Sequence, residues 1–323
     1  MMSPVDPERE RAERAGRSMA RLFRNKYALG VAPISDIVEL LETTLDLNVA
    51  VLRMRGLEAM TRRDPVTGRM VIAVAASEHP ERQRFSLAHE LGHIEANDFT
   101  PNLTLVHQNK AVEDKAHAFA RNLLAPYEGV NAVLQHGAGD KEQAVADIVR
   151  HFRVSPPVAA IQLRDMGIIT PQEATELGEN DAAWYAFRYG WEAEREGLVS
   201  AALRIRPPQR ILARAIDGYR HGIVGAAVVA RLRAQTEEET LQELSRRHLL
   251  VSSDAESTVG DDWRAVSPAE EDVAVNDQAP VWMQDHPDDE ADDFSYHGTG
   301  RRFVEASPAE EMSDEVERTH REW

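Results

Sequence analysis

The spacing of apolar and polar residues predicts short helices and strands within the first 136 positions. Helical periodicity indicates helices over residues 7–28 and 34–45. Three strand-like runs follow at residues 48–54, 57–63 and 70–76. Because glycine-containing turns separate these runs, we expect a small antiparallel sheet beside the helices.

A helix predicted over residues 80–97 contains the pentapeptide HELGH at positions 89–93. Positions i and i+4 of a helix lie on one face, so His89 and His93 can each place a ring nitrogen about 2.0–2.1 Å from one metal ion. Glu90 is rotated away from that pair and is predicted to hold a water molecule and accept its proton. The spacing is typical of zinc hydrolases. The alternative is a chance pentapeptide on an ordinary amphipathic helix.

The next predicted helix starts at Glu113, ends before Pro126 and has one apolar stripe at helical spacing. The stripe consists of Ala116, Phe119, Ala120, Leu123 and Leu124. Extended back by one turn, it meets Glu113 and not Asp114, so Glu113 is predicted to point inward, where an unpaired carboxylate is costly. We therefore predict that His89, His93 and Glu113 bind one metal ion and leave an open position for water.

Three further side chains are alternatives for the third ligand: His117, Glu95 and His107. His117, one turn after Glu113, is the strongest of them, and it would otherwise be a fourth ligand or orient Glu113. Imidazole with carboxylate suits Zn²⁺ best, although Mn²⁺ or Co²⁺ can use the same ligands. The predicted chemistry is hydrolysis of a peptide bond by water, with Glu90 as acid and base.

The composition narrows the class of protein. The chain has 323 residues and no cysteine, which excludes disulfides, thiolate metal sites and cysteine nucleophiles. Residues 1–17 are highly charged and do not resemble a signal peptide. The longest apolar run, residues 222–230, is far shorter than the ~20 residues that span a membrane. We expect a cytoplasmic protein without a membrane segment.

The net charge of −18 is concentrated at the C-terminal end. Residues 253–323 contain 21 Asp and Glu and 5 Arg, a net charge of −16, whereas residues 1–252 have a net charge of −2. The acidic segment is also poor in aliphatic residues, so we predict a disordered tail. The nearly neutral remainder argues against strong non-specific nucleic-acid binding and is compatible with a protein substrate.

A glycine-containing segment after residue 136 marks a predicted domain boundary. Residues 137–180 are predicted to form a helix-turn-helix-like module, with helices over 141–151 and 156–166. Residues 181–252 are predicted to form a second helical module, whose last helix is opened by a capping box at Thr236. The predicted domains are therefore 1–136, 137–180, 181–252 and the tail, 253–323.

Two motifs resemble the ImmA/IrrE metallo-endopeptidases: RFSLAHELGH at residues 84–93 and EDKAHAFARNLLAP at residues 113–126. The resemblance covers roughly residues 15–170. With the elements above, it implies an α+β fold, a mainly helical zincin-like peptidase domain with a small antiparallel sheet, followed by helical modules and the acidic tail.

The resemblance also implies roles for individual residues. His89, His93 and Glu113 would be the metal ligands, and Glu90 the catalytic acid and base. The implied substrate is a helix-turn-helix transcriptional repressor, whose cleavage would release a phage, mobile-element or stress-response programme. The chain departs from the family at two positions: His117 stands where Asn is common, and Ala125 where Met is common.

Two other functions remain open at this point. A DNA-binding regulator would use residues 141–166, with Arg150, Arg153 and Arg164 contacting phosphate. A metal-retaining scaffold would bind its partner without cutting it. The tail is predicted to solvate the protein, and it also contains short elements that would dock on a partner: Pro280–Met283, Tyr296 and Phe303.

Overall fold

The computed structural model describes residues 6–251, except residues 55, 64–67, 99–108 and 138. The acidic tail and its predicted docking elements therefore lie outside the described residues. Helix α1, Pro7–Lys26, begins where the Asp6 side chain accepts a hydrogen bond from the Glu8 N–H. Proline suits the first helical position because its fixed backbone angle is already helical.

A short irregular helix replaces the helix that the sequence predicts over residues 34–45. Helix α2, Ile37–Glu39, begins at Asp36, whose side chain accepts hydrogen bonds from two N–H groups of the first turn. It continues directly into a π-helical turn, Leu40–Thr44. The segment thus packs its apolar side chains on the core without forming a regular α-helix.

The sheet has three strands, β1 (Asn48–Leu52), β2 (Ala59–Arg63) and β3 (Met70–Ala75), in the order β1-β3-β2. Strand β2 is antiparallel to β3, but β1 is parallel to β3, so the prediction of an antiparallel sheet was wrong for that pair. The chain reverses at each turn as predicted. However, β3 lies between the other two strands and therefore meets β1 running in the same direction. Its wholly apolar sequence, MVIAVA, suits the central position.

Five helices follow the sheet, close to the predicted bounds where the sequence made predictions. They are α3 (Pro80–Ala96), α4 (Lys110–Leu124), α5 (Tyr127–Gly137), α6 (Lys141–Phe152) and α7 (Pro156–Asp165). Asn97 ends α3 in the left-handed conformation that commonly terminates helices. The Asn109 side chain caps the start of α4. Pro126 follows the end of α4, as the sequence predicts.

Six further helices complete the described part of the chain. They are α8 (Pro171–Gly178), α9 (Ala182–Tyr189), α10 (Glu192–Ala202), α11 (Gln209–Arg220), α12 (Ala226–Arg233) and α13 (Glu237–Arg246). The capping box predicted at Thr236 is present, since Thr236 and Glu239 exchange hydrogen bonds. Helices α8 to α10 were not predicted. None of the described helices is long and apolar enough to cross a membrane.

The main hydrophobic core joins residues from α1 to Trp191. It includes side chains of α6 and α7, so the two helices of the predicted helix-turn-helix-like pair bury their apolar faces against the same core as α3 and α4. A much smaller cluster holds α11 to α13 together; its buried members are Tyr219, Ala226, Val229 and Leu244. The HELGH helix is therefore supported by the larger core.

Candidate metal centre

Helix α3 is anchored at its first turns by two long polar side chains. Gln83 donates hydrogen bonds from Nε2 to the carbonyl oxygens of Ala75 at 2.8 Å and Ala202 at 2.9 Å. Arg84 donates to the carbonyl oxygen of Ile34 at 2.6 Å. Because these acceptors lie on other segments of the chain, the helix is held in one orientation. The arginine of the RFSLAHELGH motif therefore has a structural partner.

Helices α3 and α4 approach closely at Gly92, the fourth residue of HELGH. A Cβ atom added there would lie 3.0 Å from Cδ1 of Phe119 and 3.3 Å from Cα of Ala116. A larger residue would therefore push α4 away. Glu113 stands one turn before Ala116 on α4, so this close approach is what allows its short side chain to reach the imidazoles of α3.

The structure brings His89, His93 and Glu113 together. The Nε2 atoms of His89 and His93 are 3.0 Å apart. One Glu113 oxygen lies 3.2 Å from Nε2 of His89 and the other lies 3.4 Å from Nε2 of His93. Ligands about 2.0–2.1 Å from a tetrahedral zinc ion are about 3.3–3.4 Å apart, so the three side chains fit such an ion. Each imidazole presents Nε2, one of the two ring nitrogens through which histidine binds metals.

The site is buried on one side and partly open on the other. The His93 side chain is fully buried, whereas the side chains of His89 and Glu113 are 13% and 22% exposed. Solvent and a substrate can therefore approach from the side of His89 and Glu113. Nδ1 of His89 is buried without a hydrogen-bond partner among the described residues, which leaves Nε2 as the atom directed into the site.

Asp98 and Lys115 orient His93 from behind. Oδ2 of Asp98 lies 3.3 Å from Nδ1 of His93, and Oδ1 accepts a hydrogen bond from Nζ of Lys115 at 2.9 Å. A carboxylate only accepts, so the ring proton of His93 is held on Nδ1 and Nε2 keeps its lone pair for a metal. The sequence analysis missed both residues, because Asp98 lies beyond the end of α3 where helical spacing no longer applies.

His117 lies beside this group. Its ring is 4.6 Å from that of His89 and stacks on Phe85 at 5.8 Å. Ligand atoms of His89, Glu113 and His117 all lie within 4.8 Å of one another, so the structure leaves His117 within reach of a metal. The ligand atoms of His89, His93 and Glu113 lie closer together, at 3.0–3.4 Å. Burial lowers the pKa of His117 to about 3, so its ring is neutral at physiological pH.

The two weaker alternatives for the third ligand are not part of the cluster. Glu95 is exposed on α3, and His107 lies outside the described residues. One inference about the α4 helix needs correction: Asp114, expected to point away from the core, is buried, and it is less exposed than Glu113. Because α4 packs against α1 as well as α3, it has two buried faces, and a single apolar stripe does not describe it.

Glu90 is held away from the imidazoles by the sheet. It is buried, and its Oε2 accepts a hydrogen bond of 2.5 Å from the hydroxyl of Thr61, in the middle of β2. The contact fixes one carboxylate oxygen and leaves the other for a reacting group. The sequence analysis missed Thr61, since it is 29 positions from Glu90 and no local pattern links a strand hydroxyl to a helix carboxylate.

The fold and this cluster define a protein with a metallopeptidase-type site. Residues 45–164 match the family model described as Peptidase_M78, the IrrE N-terminal-like domain. The resemblance to the ImmA/IrrE family is thereby confirmed, and the chain contains an IrrE N-terminal-like domain over these residues. The match includes β1 to β3, α3 and α4, and thus every residue of the cluster. No curated protein matches the chain.

Proposed function

We propose that this protein is a zinc-dependent endopeptidase in which His89, His93 and Glu113 hold the ion and Glu90 is the catalytic acid and base. The observation that carries the proposal is the convergence of three ligand atoms at 3.0–3.4 Å, with a buried carboxylate beside them. The domain match independently indicates a metallopeptidase-type function. Mn²⁺ or Co²⁺ would suit the same donor set.

The described side chains have distinct tasks in this reaction. A bound Zn²⁺ would supply Lewis-acid polarisation of the scissile carbonyl and a lower pKa for water. Glu90 accepts one proton as the water oxygen bonds to the carbonyl carbon. It then donates that proton to the amide nitrogen as the carbon–nitrogen bond breaks. Thr61 keeps the carboxylate in position through both transfers, and Asp98 keeps Nε2 of His93 unprotonated.

The substrate of a peptidase is a protein, and β2 offers a place for its backbone. Strand β2 is at one end of the described sheet, so no described strand pairs with its outer edge. Thr61 of this strand contacts Glu90, which means that a peptide paired along β2 would pass beside the catalytic carboxylate. We propose that an extended segment of the substrate pairs there by backbone hydrogen bonds.

We further propose that the substrate is a helix-turn-helix repressor in the cytoplasm. Support for this finer assignment comes from the resemblance of residues 84–93 and 113–126 to the ImmA/IrrE endopeptidases, and not from the geometry. The metal-retaining scaffold is the competing reading for the same site, because a scaffold would need the same ligands. Cleavage must therefore be measured separately from binding.

Direct DNA binding receives less support. Arg150 pairs with Glu194 at 2.9 Å, Arg164 pairs with Asp165 at 2.7 Å, and Arg153 donates to the Ser35 carbonyl at 3.0 Å. Each guanidinium proposed for phosphate contact thus has an acceptor within the protein. The apolar faces of α6 and α7 are buried in the main core. We therefore interpret these helices as a packing unit.

The test compares Glu90→Gln with Glu95→Gln, a matched change at an exposed position of the same helix. Zinc is measured by mass spectrometry of the purified protein, and cleavage by the appearance of fragments from helix-turn-helix repressors encoded in the same genome. We expect Glu90→Gln to keep zinc and to lose cleavage by about 10²–10⁴-fold, because the base is gone while the ligands remain. The Glu95 variant should match the parent protein.

Two results would overturn this assignment. Full cleavage by Glu90→Gln would remove the carboxylate from the mechanism. Zinc-loaded parent protein that binds a repressor tightly without producing fragments would establish the scaffold instead.

A further inference from the structure

A second concave site lies on a flank of α1, away from the metal-binding cluster. The cavity has a volume of about 420 Å³ and is bounded by α1, the turn at Gly30 and Val31, and the start of α5. None of the predicted catalytic or ligand residues lines it. The volume falls within the range of about 300–1,000 Å³ that is typical of small-molecule sites. We name it the α1 cavity.

The α1 cavity is strongly cationic. Four arginines of α1 line it at helical spacing: Arg14, Arg17, Arg21 and Arg24. Glu128 is the one acidic side chain among its lining residues. Arg14 also pairs with Glu10 at 3.5 Å, but both side chains are more than half exposed, so the pair is weak. This excess of positive charge stands out because residues 1–252 carry a net charge of only −2.

Arg24 contributes a positive charge whose hydrogen bonds, among the described residues, go to backbone carbonyl oxygens, and Glu128 acts on it through charge alone. It is buried, and it donates hydrogen bonds to the carbonyl oxygens of Gly30, Ala32 and Leu123. Burial lowers its pKa to about 10, which still leaves it protonated at neutral pH. Arg24 therefore shapes the cavity wall and adds a fixed positive charge, while its own donors are occupied by the protein.

Arg17 is the side chain best prepared to bind a ligand. Its guanidinium carbon lies over the Tyr127 ring, 4.5 Å from the centroid, and this cation–π contact restrains the group. Its Nε is buried without a hydrogen-bond partner among the described residues. A guanidinium is a planar fork of N–H donors that matches the paired oxygens of a phosphate group, and the contact with Tyr127 restricts the positions that this fork can take. Arg21, exposed on the next turn, adds a second donor set.

We propose that the α1 cavity binds a small ligand bearing two or more phosphate groups. The spacing of the arginines along one helix suits several negative charges in a row, and the concave shape suits a small molecule better than a duplex. Tyr127 and Pro126 in the wall would contact an apolar part of the same ligand. This inference does not depend on the peptidase assignment.

The experiment titrates the full chain with inorganic pyrophosphate by isothermal calorimetry at low ionic strength. Arg17→Gln and Arg21→Gln should each weaken binding by about tenfold or more, because each removes charge-assisted hydrogen bonds. Arg11→Gln is the matched control, since Arg11 is an exposed residue of α1 that does not line the cavity. It should change the dissociation constant less than about twofold. Circular dichroism establishes that all three variants fold.

Several outcomes would overturn the proposal. Absence of saturable binding to the parent protein would do so, as would an equal loss in Arg11→Gln, which would indicate a diffuse effect of charge. Citrate that binds as tightly as pyrophosphate would contradict selection of phosphate. A short DNA duplex that displaces pyrophosphate at the same phosphate concentration would identify a nucleic-acid surface instead. Arg24 is left unchanged because its replacement would disturb the fold.

Discussion

Helix α4 packs against α1 on one side and against α3 on the other, and glycine makes both contacts close. Towards α1, a Cβ atom on Gly16 would collide with the Lys115 carbonyl oxygen and lie 2.8 Å from the Phe119 nitrogen. Towards α3, a Cβ atom on Gly92 would meet the Phe119 ring edge at 3.0 Å. The first contact is the tighter one, because the nearest α4 atoms lie closer than 3.0 Å to the added Cβ atom, whereas those near Gly92, which include backbone atoms of Ala116, lie at 3.0–3.4 Å.

The two faces of α4 also differ in what they do. The α1 face buries Arg121, which pairs with Glu13, and contributes no side chain to the metal-binding cluster. The α3 face presents Glu113 and His117 to the histidines of HELGH. Packing against α1 thus holds α4 in place. The opposite face can then position the Glu113 carboxylate beside the histidines with a precision of a few tenths of an ångström. The comparison shows that the geometry of the candidate site depends on α1, a helix that contributes no ligand.

The largest effect should come from the ligand on the α3 face. Glu113→Gln removes the negative charge and should weaken zinc binding by more than ~100-fold, exceeding the ~10–100-fold loss that outer partners cause. His117→Asn should keep zinc within about tenfold. Zinc retention against a competing chelator measures both. If the His117 variant loses zinc and the Glu113 variant keeps it, the third ligand has been misassigned.

On the α1 face, Gly16→Ala should lower stability. The new methyl group meets α4 backbone, and overpacking of this kind costs about 1–3 kcal/mol or more, which exceeds the gain of about 1 kcal/mol in helix propensity. Denaturant unfolding measures the change. Gly197→Ala in α10 is the matched control, because a Cβ atom there would meet nothing within 4 Å. A Gly16 variant as stable as the control would show that α4 is not held by α1.

Removal of the Thr61 hydroxyl should have the next largest effect. Thr61→Val removes a hydrogen bond to a charged group, worth about 1.5–3 kcal/mol, and should lower the rate of cleavage by about tenfold or more without changing zinc content. Thr61→Ser keeps the hydroxyl and should restore most of the rate. The variants are compared by single-turnover cleavage. Equal rates in the Val and Ser variants would mean that Thr61 does not position Glu90.

The smallest effect on stability is expected at Gly92. In Gly92→Ala the methyl group would lie 3.0 Å from the Phe119 ring and 3.3–3.4 Å from backbone atoms of Ala116, which is less tight than at Gly16, so the gain in helix propensity of about 1 kcal/mol offsets part of the clash. A shift of α4 by a few tenths of an ångström should nevertheless weaken zinc binding by about tenfold. Unfolding and chelator competition are measured together. If the Gly92 variant lost stability but kept its zinc affinity, the α3 face would behave like the α1 face, and the distinction between the two faces would be wrong.

Local patterns were sufficient to predict several elements of this protein. Helix α3 was predicted from its start near Pro80, and most of α4 from its apolar spacing and Pro126, and helical geometry predicts that His89 and His93 share a face. Because these properties depend on residues within one or two turns, they can be read from the chain. The same holds for the capping box at Thr236.

Other features depend on residues that are distant in sequence, and these were missed or predicted wrongly. The position of β3 between β1 and β2 depends on the pairing of β1 with β3, two strands that are not consecutive along the chain. The buried state of Asp114 follows from the contact with α1, which no spacing within α4 reports. Helices α8 to α10 have only eight to eleven residues, so each offers few turns in which a periodic pattern can be recognised.

The amino-acid sequence alone determined the class of site: two imidazoles at helical spacing, a neighbouring carboxylate and a second carboxylate on the following helix. Only the tertiary structure decided which partners support them. Thr61 on Glu90, Asp98 on His93 and the close approach at Gly92 all join segments whose separation is set by packing. Helical periodicity is a local property of the backbone, whereas the distance between two elements is set by every side chain between them.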